Sequence, residues 1–139
     1  MTEETSPPAT RVLVENSDRR AGEAQVAALS HAGFDVTYCA GPASLPGGMC
    51  PAVDGTGCSL LDDADIVVHD LEISESSNRE VLRRLRHSYP DVAIVVEAPE
   101  DVATAYAQDL SGCHVFTPYD MDRLVEVVRD VADNAATSP

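Results

Sequence analysis

Lysine and tryptophan are both absent from this 139-residue chain, and its aromatic side chains are limited to two phenylalanines and four tyrosines. The nine cationic residues are therefore all arginine, against 24 acidic ones, for a formal net charge of −15. Without lysine there is no Schiff-base or lysine-nucleophile chemistry. So large an excess of negative charge excludes a nucleic-acid surface, which needs a basic footprint. It favours solubility and basic partner surfaces; adaptation to a salty cytoplasm is the alternative explanation. No apolar run approaches the ~20 residues of a membrane-spanning helix, so no membrane partner is expected. A Gly-rich phosphate loop, a Ser-His-Asp arrangement and an HExxH motif are also missing, and no enzyme with turnover is expected. The opening stretch MTEETSPPAT lacks the basic and apolar regions of a secretory signal, which leads us to expect a cytoplasmic protein.

What is present is alternation. Residues 11–16 (RVLVEN), 34–40, 64–70 (ADIVVHD), 91–98 (DVAIVVEA) and 113–118 read as strands, being short, β-branched and apolar. Between them lie helical patterns. The first spans 17–33, with Ala24, Val26, Ala27, Ala28 and Leu29 as its stripe, Ser17 or Asp18 as its cap and Gly33 as its stop. The next spans 77–90, where Ser77 and Glu80 fit a capping box and Val81, Leu82 and Leu85 face inward. A third covers 99–112, with Val102, Tyr106 and Leu110 inside, and the last covers 119–134, capped by Asp120. Strands that are apolar throughout indicate a parallel sheet covered on both faces, joined by right-handed crossovers. Such sheets place their sites beyond the carboxyl ends of the strands. The expected organisation is a tail over 1–10, one α/β domain over 11–134 and a short tail over 135–139. With no further module after residue 134, the domain is expected to act alone.

At those strand ends the sequence resembles the receiver domain of two-component response regulators, over roughly residues 11–132. DIVVHD (65–70) matches the family's pattern D-[LIV]-[LIV]-[LIV]-x-D and puts Asp70 at the phosphoacceptor position. TPYD (117–120) keeps the Pro118 and Tyr119 of the family's Lys-Pro-aromatic ending and replaces the lysine with Thr117. The resemblance implies a doubly wound, flavodoxin-like five-stranded parallel sheet of order 2-1-3-4-5. It also implies Mg²⁺ at the Asp70 site, held by an acidic pair after the first strand. Here that position reads Asn16-Ser17, with Glu15 and Asp18 on either side, so that a one-residue shift would bring either acid into play. The hydroxyl that the family places at the end of its fourth strand is Glu97, and His114 stands at the switch-aromatic position. Phosphoryl transfer to a carboxylate needs positive charge against the developing oxygens, and a second carboxylate beside Asp70 opposes it. Asp70 is open to two roles: an active phosphoacceptor, or a strand-end carboxylate that binds loop amides or a residual cation. In the family the fourth helix, fifth strand and fifth helix form the usual partner face, which here includes Tyr106, His114, Tyr119 and Arg123.

Between the second and third strands, residues 41–63 are dense in Gly and Pro, with helical character limited to a turn around Leu60. This Cys/Gly/Pro-rich loop stands where the resemblance implies a second helix. Cys39 ends the strand before it, and Cys50 and Cys58 lie within it, with ten and seven intervening residues along the series. The CxxC spacing of zinc sites is absent. Unbound thiols, a Cys50–Cys58 disulfide or redox pair, and a Zn or Fe–S site using Cys39, Cys50 and Cys58 with Asp54 all remain open; Cys113 reads as a core residue.

The function expected is a receiver-like signalling domain that acts by protein–protein interaction without efficient aspartyl phosphorylation, with a homodimer kept open. Its alternatives are a redox- or metal-responsive switch on the cysteine loop, and an active phosphorelay receiver using Asp70 with Glu15 or Asp18.

Overall fold

The computed structural model describes residues 9–41, 59–117 and 121–137. Five strands form one parallel sheet: β1 (Arg11–Asn16), β2 (Asp35–Cys39), β3 (Ile66–Asp70), β4 (Ala93–Glu97) and β5 (His114–Phe116), in the order β2-β1-β3-β4-β5. The helices are α1 (Arg19–His31), α2 (Ser59–Asp62), α3 (Ser76–Ser88), α4 (Glu100–Ala105) and α5 (Met121–Thr137). Alternate residues of the same strand bury against different helices. On one face Val12, Val14, Ile66, Val68 and Val95 pack with Leu29 of α1 and with Leu124 and Val128 of α5. On the other, Leu13, Val67, Ile94 and Val96 pack with Val81, Leu82 and Leu85 of α3. That double cover is the reason β1, β3 and β4 are apolar at successive positions. Each such side chain, taken fully out of water, contributes ~1.5–3 kcal/mol, so stability is concentrated in these central strands rather than at the edges.

The register decides what meets at the carboxyl end. Asn16 lies opposite Asp70 across β1 and β3, and Glu97 ends β4 beside Phe116 of β5. The helix that follows β1 is positioned by Asp18, whose Oδ1 accepts from the backbone N–H groups of Arg20 and Ala21 at 3.0 and 3.3 Å. Gly33, at φ 102°, lets the chain leave it. With the start set there, Gly22, Gln25 and Leu29 turn inward, whereas Ala24 and Ala27 of the expected stripe are exposed. Gly22 faces inward because Tyr38 of β2 crosses it: a Cβ there would run into the Tyr38 ring. The Tyr38 hydroxyl donates to the Asn16 carbonyl at 2.6 Å and ties the edge strand to the end of β1.

Three local expectations are corrected. The Ser77–Glu80 capping box does not form; α3 starts after Glu75 with no side-chain cap. Glu80 is drawn instead to Arg83 and Arg84 one turn on, and Asn78 and Arg79 reach back to the carbonyls of Glu72, Ile73 and Ser74. The helix expected over 99–112 is only Glu100–Ala105, because the backbone leaves helical geometry at Tyr106, and Leu110 enters the core from the turns that follow. The last helix continues to Thr137, past the expected end at 134. The turn expected around Leu60 is α2, while residues 42–58 of the cysteine loop, with Asp54, and the cap Asp120 lie outside the described residues. Among the described residues no helix is long and apolar enough to cross a membrane.

Gly22→Ala is expected to destabilise the fold by about 1–3 kcal/mol, since overpacking against Tyr38 outweighs alanine's better helix propensity. Urea denaturation of Gly22→Ala and of Gly22→Ala/Tyr38→Ala checks this: the double variant should lose the clash and recover part of the deficit.

Candidate functional site: a polar cluster at the carboxyl end of the sheet

Four polar side chains converge where β1, β3 and β4 end against α1. Asn16 and Gln25 are buried, at 4% and 2% exposure, and Asp70 and Glu97 are half-buried. The Asp18 backbone N–H donates to Asn16 Oδ1 at 2.9 Å, which turns Asn16 Nδ2 inward. That Nδ2 donates to Gln25 Oε1 at 3.1 Å and to Asp70 Oδ2 at 3.2 Å. Gln25 Nε2, oriented in turn, donates to Asp70 Oδ2 at 2.9 Å and to Glu97 Oε2 at 3.3 Å. Each amide fixes the next, so the orientation of the whole chain of bonds is determined.

Two carboxyl groups that accept from the same amide nitrogen are close enough to repel if both ionise. Burial, with the hydrogen bond to Asp70 and the charge of Asp70, pushes Glu97 up to about 8 from its ordinary 4.5. At neutral pH the protonated form of Glu97 is therefore favoured. Beside it opens a cleft of about 330 Å³ whose walls include Ser17, Asp70, Glu72, Ser74 and Glu97.

This donor set does not fit the Mg²⁺ that the resemblance implies. Such an ion needs several oxygen ligands in octahedral array. The end of β1 instead aims an amide N–H at Asp70, and Gln25 aims a second, so Oδ2 of that carboxylate already accepts two donors. Glu97 adds a protonated carboxyl. Among the described residues no three His, Cys, Asp or Glu side chains are grouped to hold a metal ion.

Glu15 is not part of this cluster. In a strand, successive side chains face opposite ways, and with Asn16 on the Asp70 side, Glu15 points to the α3 side. There it meets His69, its register partner on β3, whose Nδ1 lies 2.8 Å from Glu15 Oε1. Both are buried, His69 completely, and its Nε2 has no partner among the described residues. Asp18 is committed to capping α1. Ser17 borders the cleft, and Thr117 is exposed just beyond β5. Of the partner-face residues, His114 and Arg123 are exposed, Arg123 pairing with Glu126 at 2.9 Å, and Tyr106 is half-buried under the guanidinium of Arg79 at 5.1 Å. Tyr119, Cys50 and Cys58 lie outside the described residues. Cys39 is half-buried at the end of β2, its Sγ accepting from the Gly41 N–H at 3.4 Å. Cys113 packs against the α3-side core, where burial pushes its thiol up and lowers its reactivity.

Gln25 is the member of the cluster that sequence reasoning missed. Its signal is a polar residue in helical phase with Gly22 and Leu29, at i+3 and i+7 on the inward face.

Two outcomes follow for these pairs. The stability that the Glu97 proton supports is full below about pH 4.5, declines as pH rises through about 8, and is then lost. Glu97→Gln, which keeps the shape without the ionisation, should match the wild type near pH 4.5 and exceed it above pH 8, by about 1–3 kcal/mol after discounting for solvent at a half-buried carboxyl. Chemical denaturation across this pH range reads the crossover. On the other face, Glu15→Leu alone strands a buried imidazole and should cost about 3–5 kcal/mol, whereas Glu15→Leu with His69→Phe should recover most of it.

No family model matches the chain, and no curated protein does. Solved structures do. A CheY-like response regulator receiver domain protein from Methanospirillum hungatei JF-1 superposes with a TM-score of 0.68 at 13% identity, over 93% of this chain and 98% of that one. The receiver domain of the Francisella response regulator 1452 gives 0.66 at 18% identity, over 90% and 98%. A response regulator receiver protein from Pseudomonas putida gives 0.65 at 20% identity, over 90% and 99%. What this chain shares with them is architecture: its five-stranded parallel sheet in the order β2-β1-β3-β4-β5 is the receiver fold.

Proposed function

We infer that this chain is a receiver-like signalling domain that works through contacts with other proteins and without efficient phosphorylation of Asp70. One observation carries this reading: the Asp70 carboxylate accepts from two neutral amides, Asn16 Nδ2 and Gln25 Nε2, and the neighbouring Glu97 is raised to about 8 by burial. Transfer of a phosphoryl group to a carboxylate spreads charge over the transferring oxygens, and fixed cations supply most of the stabilisation. Here no arginine or histidine among the described residues pairs with Asp70 or Glu97. Thr117, at the place where the resembling family carries lysine, brings no charge. The amides instead satisfy Asp70 as a strand-end carboxylate.

A domain of this kind signals by the shape and charge of its surface. Its net charge of −15 favours partners with basic surfaces. The face built around β5, with Tyr106, His114, Tyr119 and Arg123, is the docking region that the resemblance implies. Exposed Val115 on β5 and Met121 at the start of α5 add apolar area there, at 40% and 37% exposure.

Intact mass after incubation with Mg²⁺ and a small acyl phosphate tests the reading, with Asp70→Asn as the control. The expected result is the unmodified mass for both proteins. A phosphoryl adduct on the wild type that is absent from Asp70→Asn overturns it.

A further inference from the structure

Asp70 and Glu97 sit at the ends of adjacent strands, bridged by the amide of Gln25, and open on one side to a cleft. We propose that this pair is a proton-operated switch: while it shares a proton, Glu97 lies against Asp70 and Gln25, and when the proton leaves, Glu97 turns out into the cleft and Gln25 keeps only Asp70. The proposal rests on the reading of Asp70 as unphosphorylated, because a phosphoryl group would take over the oxygens that hold the pair together.

Among the described residues no cation pairs with Asp70 or Glu97 to hold the ionised pair in place. From β1 the facing groups are Asn16 and Ser17, and from α1 they are Gln25 and the capping Asp18. From β3 and the loop after it come Asp70 and Glu72. From β5 comes Phe116, and α5 packs on this side through apolar Leu124 and Val128. None of these is a cation. Two negative charges would then be held by one neutral amide, Gln25 Nε2, with the Asp70 bond the shorter, at 2.9 Å against 3.3 Å to Glu97. Glu97 is the partner with somewhere to go, since its side chain lines the cleft of about 330 Å³. Moving there exchanges a carboxylate neighbour for water.

The consequence reaches two elements. The strand-end network loses its link between α1 and β4, and the cleft between the β3–α3 and β4–α4 loops gains one negative charge. Both arrangements keep every buried amide bonded to at least one partner, so they are two states of one fold rather than a folded and a damaged form.

Side-chain carboxyl and backbone amide signals of uniformly ¹³C,¹⁵N-labelled protein, followed by NMR from about pH 5 to about pH 10, decide the matter. Glu97 should titrate near 8, and the Gln25 side-chain NH₂ and the α1 amides around it should shift with the same midpoint. Glu97→Gln should hold the low-pH positions throughout. The switch is overturned if Glu97 titrates in the ordinary carboxylate range, or if Gln25 and α1 stay still while Glu97 ionises. Mass spectrometry of the same samples after acyl phosphate separates the two readings. An adduct alongside a coupled titration defeats only the unphosphorylated reading, and an uncoupled titration without an adduct defeats only the switch.

Discussion

The amide of Gln25 is the contact on which the site depends. Its Nε2 donates to carboxylates on two strands and its Oε1 accepts from a third, so one side chain from α1 binds the ends of β1, β3 and β4 together. A neutral donor can satisfy carboxylates but cannot neutralise them. The charge is then limited in another way: burial beside Asp70 raises Glu97 to about 8 and favours its protonated form. An arginine or a metal at the position of Gln25 would let both acids ionise. The proton and the amide are two halves of one solution to burying two carboxyl groups without a cation.

The sheet carries a second polar pair directly behind the first. Asn16 and Asp70 face α1, and Glu15 and His69, one residue back on the same two strands, face α3. Asn16, Glu15 and His69 are buried and Asp70 is half-buried, beside a core built mostly of Val, Leu and Ile. Buried polar pairs of this sort add little to net stability but are costly to break. They also fix register: sliding β3 against β1 by one residue would place His69 on Asn16 and leave a carboxylate against an apolar face. The polar ends thus hold the alignment on which the cleft depends.

Much of the fold is visible in the pattern of apolar runs. Strand β1 is RVLVEN in both readings, because a doubly covered strand needs a continuous run of β-branched and aliphatic residues. The lengths of the helices were less legible. The turn at Tyr106 ends α4 early although the apolar spacing of Val102, Tyr106 and Leu110 continues, since apolar spacing records burial and these residues reach the core by turns as well as by a helix. The capping box failed for a similar reason: Ser77 and Glu80 have the right spacing, but Glu80 has stronger partners in Arg83 and Arg84.

The site divides in the same manner. The sequence alone determined that no lysine can serve it, that Asp70 ends an apolar strand, and that Glu97 stands where a hydroxyl would be expected from the resemblance. These are matters of composition and of position along one strand. Only the tertiary structure decided that Glu15 belongs to His69 rather than to Asp70, and that Gln25, 45 residues away in the chain from Asp70, completes the cluster. The reason is geometric. A strand's two faces differ by a single residue, and which face a side chain serves depends on how β1 aligns with β3. The phase of α1 depends in turn on the cap at Asp18 and on the close approach of Tyr38 to Gly22. Such alignments are set by contacts between distant segments, which no local run of residues records.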